Sequence, residues 1–360
     1  MQYQFKTSQN EKRLVKVDLL KFVLIFSVCF LHLGADQLDP LTRIGVSGFL
    51  AIAGYYSYYG NAKPYKKLGK KIIRTITFYV IAVIVSITAQ SLIYINSEIQ
   101  HWNDVAMKFQ NWQTLFSYIL LNRPIISGIG IWFLLCLIYV YAIHYLFVML
   151  NINKLYKFIF PLILFAGIFI QLYFGKDYND TGITITQTWL IVGFGFFGLG
   201  YTIHEFKDKL QKIGKTTIIS STLIFFALQI VENYIYIFTG IMGKSSHSYC
   251  YYVSTIGCIF FLIIWMSTWK PSWFKFTNAY YQVCIPNISF LIYILHMYIG
   301  QNMMGIVRGP NWMNIVWTCI AFLITLILSM AISMPYIGIT NTIKQNKALK
   351  LNKVNTKKLR

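Results

Sequence analysis

Apolar stretches of membrane-spanning length recur along the 360-residue chain near 17–34, 44–60, 72–95, 130–150, 155–175, 187–204, 216–240, 248–268, 287–306 and 313–340. Each is close to the roughly 20 residues that carry a helix across a hydrocarbon layer about 30 Å thick. The pattern predicts an all-α, polytopic integral membrane protein with about ten transmembrane helices. It divides the chain into a basic segment 1–16, a membrane domain 17–340 and a basic tail 341–360. Between the third and fourth spans, WQTLFSYILL at 112–121 is too short to cross and reads as an interfacial or re-entrant helix. No internal repeat is evident.

One run breaks the apolar rule. VDLLKFVLIFSVCFLHLG at 17–34 carries Asp18, Lys21 and His32, and ionisable groups at membrane depth are costly and usually mark a functional site. At about 100° per residue, the eleven steps from Lys21 to His32 make three turns plus about 20°, and Asp18 falls within about 40° of the same line. The three therefore share one face, with His32 roughly 16 Å beyond Lys21. Such a stripe points to a path through the membrane.

Composition agrees with this class: 56% of residues are hydrophobic and only 12% charged, against roughly 25% charged in soluble domains. The net charge of +21 would suit nucleic acid in a soluble protein, but here it follows the loops. With the N-terminus inside, the cytoplasmic segments hold 25 of the 32 Lys and Arg residues, and the outer loops only Arg43, Lys108, Arg123, Lys176, Lys244 and Arg308. Because basic residues are retained in cytoplasmic loops, this asymmetry predicts a multi-pass protein of the cytoplasmic membrane with both termini cytoplasmic. It would contact membrane lipids and no nucleic acid. Lys12, Arg13 and Lys16 before the first run resemble a signal peptide, but a disposable segment has no use for a polar stripe. The six cysteines lack metal-ligand or CxxC spacing, so neither a disulfide framework nor a metal site is expected.

Four stretches in order resemble the acyltransferase-3 family of membrane O-acyltransferases. The first helix contains Lys21-x10-His32 with Asp18. FLAIAGYYSY at 49–58 resembles the family's second-helix pattern, with Ala53 where Ser is usual. IWFLLCLIY at 131–139 resembles its Trp-Phe-Leu helix, and ISFLIYILHMYI at 288–299 its late helix with Ser289, Tyr293 and His296. The resemblance covers about residues 10–340. It implies transfer of an acyl group, commonly acetyl, from cytoplasmic acyl-CoA to a hydroxyl of a saccharide or cell-surface glycan, with no permanently bound cofactor.

The residues agree with that chemistry. An alcohol attacks a thioester only when a base takes its proton, and neutral imidazole suits that role at pH 7. His32 is the candidate catalytic base. Asp36 could orient its ring, or be a solvated loop acid. The phosphates of acyl-CoA need cations, for which Lys21, Lys71 and Arg74 are the candidates; the last two lie in PYKKLGKKIIRT at 64–75. Asp18 could pair with Lys21. Tyr293 and His296 could line the path or hydrogen-bond between helices. Trp132 lies at a membrane boundary, where an aromatic belt also accounts for it. The alternative function is a transporter or flippase for a lipid-linked glycan or small solute, since proton relays use the same residue types.

Overall fold

The computed structural model describes residues 9–32, 38–60, 64–93, 107, 110–122, 131–174, 185–239, 250–268, 288–299 and 313–333. Among the sequence candidates, Asp36 lies outside the described residues, as do Cys284 and the tail 341–360. Every described element is helical: α1 (Gln9–His32), α2 (Asp39–Thr42), α3 (Ile44–Tyr55), α4 (Tyr65–Ile93), α5 (Trp112–Leu121), α6 (Trp132–Met149), α7 (Tyr156–Phe174), α8 (Phe194–Glu205), α9 (Lys207–Leu210), α10 (Lys215–Thr239) and α11 (Val253–Thr268). Two more follow, α12 (Ile288–Ile299) and α13 (Met313–Ser333).

A helix therefore stands in each of the ten apolar stretches. Five segments are long and apolar enough to cross a membrane by themselves: Tyr65–Ala89, Trp132–Met149, Asn153–Phe174, Lys215–Thr239 and Met313–Ser333. Their outward faces carry bare apolar side chains such as Ile84, Leu162, Phe169, Leu223, Phe238 and Ile327, which only a hydrocarbon surrounding tolerates in such number. The segment 112–121 forms α5 as its pattern predicts. Asn111 caps it by accepting from the backbone N–H groups of Gln113 and Thr114 at 2.9 and 3.3 Å, and Asn122 closes it in the left-handed conformation at φ 47°. None of its residues is buried, as expected of a helix lying at an interface.

The centre of the bundle is α3, packed on α1, α8 and α11. Small residues make these contacts close. A Cβ at Gly45 would come within 2.7 Å of the Val28 side chain, and one at Gly48 within 2.5 Å of Leu24, so α1 and α3 run antiparallel. On the other side of α3 the approach is tighter. A Cβ on Gly54 would collide with the carbonyl of Phe197, and one on Gly200 with the carbonyl of Ala51. The two backbones touch reciprocally, the small-residue packing that holds helices together in lipid.

The entry into α8 is a short π-helical stretch, Trp189–Gly193, in which the Gly193 N–H bonds five residues back to Thr188 at 3.1 Å. Thr188 caps it by accepting from the Ile191 N–H. The buried Asn122 side chain holds this region in place. Its amide donates to the carbonyls of Trp132 and Gln187, and its oxygen accepts from the Trp189 N–H at 2.7 Å. The sequence reading of one continuous helix over 187–204 missed this widened turn, because an inserted residue leaves the apolar pattern almost unchanged.

Candidate active site

Two polar clusters lie along α1, about three turns apart. At its C-terminal end stands His32, half-buried, with the ring of His296 from α12 at 5.6 Å between centroids and tilted by 39°. His296 is completely buried; its Nδ1 lies 3.0 Å from the Ile292 carbonyl one turn back, and its Nε2 has no hydrogen-bond partner. Tyr293, on the same helix, packs edge-on against Phe133 of α6 and stands 6.3 Å from the His296 ring. Phe133 in turn meets Trp132 at 6.5 Å. The structure thus gathers three sequence candidates, His32, His296 and Tyr293, into one neighbourhood, and Trp132 connects to it only through Phe133, its neighbour in the chain.

A buried ion pair stands beside them. Arg43 Nη2 donates to Asp39 Oδ2 at 2.9 Å, with both side chains out of solvent, and their charges act on the His32 ring. Asp39 opens α2, a single turn started by Pro40, and Arg43 leads directly into α3. From sequence, Arg43 reads only as an outer-loop cation, and Asp39 is not among the candidates. The available signal was D-P-L-T-R, an acid and a base four apart with Pro in the first turn, which places both on one face.

About three to four turns back along α1, near its middle, Asp18 is buried and Lys21 Nζ lies 3.6 Å from its carboxylate. Removing one member strands the other charge. Asp18→Ala is expected to lower the melting midpoint of detergent-solubilised protein by the equivalent of about 1–3 kcal/mol, and Asp18→Leu with Lys21→Leu to recover most of that. Equal midpoints for native, single and double variants would show that the pair adds nothing.

Between the two ends the stripe is not polar. Ile25, Val28 and Cys29, on the same face as Lys21 and His32, are fully buried against Ile288, Ile292, Ala321 and Phe322 of α12 and α13. The polar ends are joined by three turns of dry packing.

Lys71 sits in a hub at the C-terminus of α3. Helix ends leave carbonyls without partners and carry partial negative charge, and here three successive ones each meet a basic side chain from a different helix. His204 of α8 bonds the Tyr55 carbonyl at 2.6 Å, Lys71 of α4 donates to Tyr56 O at 2.7 Å, and His144 of α6 bonds Ser57 O at 3.1 Å. Lys71 also donates to Ser57 Oγ at 3.0 Å and lies over the rings of Tyr59 and Tyr141. His144 is completed by Tyr156 OH at 3.1 Å. Arg74, by contrast, is exposed and lies over Phe78, while Lys66, Lys67 and Lys70 form an exposed rim. Lys71→Met removes the charge-assisted hydrogen bonds to Tyr56 O and Ser57 Oγ and is expected to cost about 1–3 kcal/mol of stability, with the exposed Lys70→Met unchanged in the same melting experiment. His144, His204 and Ser57 were missed from sequence, because their partners lie as far as 149 residues away and no local spacing links them.

The clusters divide the chemistry. The Lys71 end, with its exposed cations, can receive a phosphate-bearing group; the His32 end offers imidazole beside a neutralised ion pair, which can take and return a proton. Among the described residues no group of three potential metal ligands occurs. A family model described as an acyltransferase domain matches residues 14–334. No curated protein and no solved structure matches the chain.

Proposed function

The chain belongs to the acyltransferase-3 family, and from that membership we propose that it moves an acyl group, acetyl in the first instance, from acyl-CoA to a hydroxyl of a saccharide or cell-surface glycan. His32 is the general base. The observation that carries this reading is the His32 ring itself: it is partly exposed at the end of a charged membrane helix, and it makes no hydrogen bond to any described residue, so a nitrogen lone pair can meet an incoming hydroxyl.

In this reading the protein lies in the cytoplasmic membrane with ten spans and both termini cytoplasmic, the arrangement that the loop charges support. Acyl-CoA docks at the basic end, its phosphates on Lys21, Lys71 and Arg74. The extended arm of the donor is of the order of the roughly 16 Å between Lys21 and His32, and it has to part the packing of Ile25, Val28 and Cys29 to bring the thioester to the base. His32 takes the hydroxyl proton, the oxygen bonds to the acyl carbon, the carbon–sulfur bond breaks, and the departing thiolate receives the proton.

The test is transfer from radiolabelled acetyl-CoA to envelope material in membranes with and without the protein. Label in a glycan fraction that depends on the protein supports the reading. Failure to bind CoA or to label any envelope fraction overturns it.

A further inference from the structure

The triad logic of hydrolases requires a third group that fixes the tautomer of the base, and neither described carboxylate of this region serves that purpose directly: Asp39 is committed to Arg43 at 2.9 Å, and Asp18 lies about four turns back along α1, paired with Lys21. We propose that His296 takes this place, as a positioning residue whose Nε2 accepts the N–H of His32 and leaves the opposite His32 nitrogen as the base. The inference rests on His32 being the base.

The protons can be traced along the chain of groups. A carbonyl oxygen only accepts, so the hydrogen bond between His296 Nδ1 and Ile292 O places the ring proton on Nδ1. In a neutral imidazole the other nitrogen is then an acceptor. That acceptor, His296 Nε2, is buried without a partner, although buried polar atoms are seldom left so. The His32 ring lies 5.6 Å from the His296 ring between centroids, within reach of a small rotation. The rings approach without a hydrogen bond in this structure, and catalytic hydrogen bonds of this kind commonly tighten when substrate binds. The α12 backbone thereby sets the His296 tautomer, His296 sets that of His32, and His32 presents its lone pair to the acceptor hydroxyl. During transfer His296 neither gains nor loses a proton overall; it steadies the imidazolium that His32 becomes.

The experiment measures apparent kcat and KM for radiolabelled acetyl-CoA, with envelope material as acceptor, in membranes carrying native protein, His32→Ala, His296→Leu, His296→Gln, and His32→Ala with His296→Leu; folding is checked by monodisperse yield in detergent. Leucine fills the buried site without an acceptor, whereas the glutamine amide oxygen can accept the same N–H. His296→Leu is expected to lower kcat about 10²-fold with KM changed less than about threefold, and His296→Gln to return to within about tenfold of native. The double variant should be no slower than His32→Ala alone, because residues acting as one unit are not additive. A His296→Leu enzyme of near-native kcat, a double variant in which the two losses multiply, or a folded glutamine variant as inactive as His32→Ala would each overturn the proposal while leaving His32 as the base. Substantial activity in His32→Ala would instead remove the base assignment, and this inference with it.

Discussion

His32→Ala is expected to accumulate like the native protein and to lose about 10²–10⁴-fold in acyl transfer, the contribution usual for a positioned general base. Both halves of that expectation come from where the residue sits. It is the last residue of α1 and half-buried, so its removal opens no large cavity in the core and strands no ion pair. The same position makes its ring available to a second substrate, while Asp18 and Lys21 remain paired near the middle of the helix. The measurement is labelled acetyl transfer in membranes matched for detergent-extracted yield. Labelling lost only in the variant identifies the base; equal labelling in both places the base elsewhere. If neither labels anything, flux assays on the same two proteins test the transporter reading.

The second large effect is structural. Gly54→Ala and Gly200→Ala each place a methyl group inside a backbone carbonyl of the partner helix, at Phe197 and Ala51 respectively. A flexible side chain could move aside; a carbonyl cannot move without separating α3 from α8, and α3 is also fixed against α1 by Gly45 and Gly48. Overpacking a well-filled core costs about 1–3 kcal/mol when side chains can adjust, and here they cannot, so each change is expected to exceed about 3 kcal/mol. The outcome is little or no monodisperse protein after extraction. Gly69→Ala is the control: it lies in α4 with nothing within 4 Å of the added atom, so the better helix propensity of alanine should leave the protein unchanged or up to about 1 kcal/mol more stable. A Gly200→Ala protein that melts normally would show that the two helices can part without penalty.

The sequence and the structure agree wherever the signal is local. Apolar length placed a helix in all ten stretches, and the three-turn interval from Lys21 to His32 survives as one continuous α1. The charge pair at Asp18 needs only a spacing of three, and WQTLFSYILL needs only its own caps. What escaped depends on distant partners. The 44–60 stretch reads as one span, yet α3 stops at Tyr55, because the next carbonyls are taken by His204, Lys71 and His144 from three other helices. His144 and His204 each bond a carbonyl that lies far beyond helical spacing in the sequence. The stripe on α1 suggested a polar path, and periodicity alone could not tell that the intervening Ile25, Val28 and Cys29 are closed off by Ile288, Ile292, Ala321 and Phe322.

That closed middle has a bearing on the cell as well as on the chemistry. Any membrane protein with ionisable groups near both faces risks becoming a wire for protons, and an energised membrane cannot tolerate many such wires. The hydrocarbon contributed by Ile25, Val28, Cys29, Ile292 and Phe322 interrupts the wire over most of the interval between Lys21 and His32, since neither water nor an ion finds a hydrogen-bonding partner there. Two compartments can then keep different pH values across one catalyst.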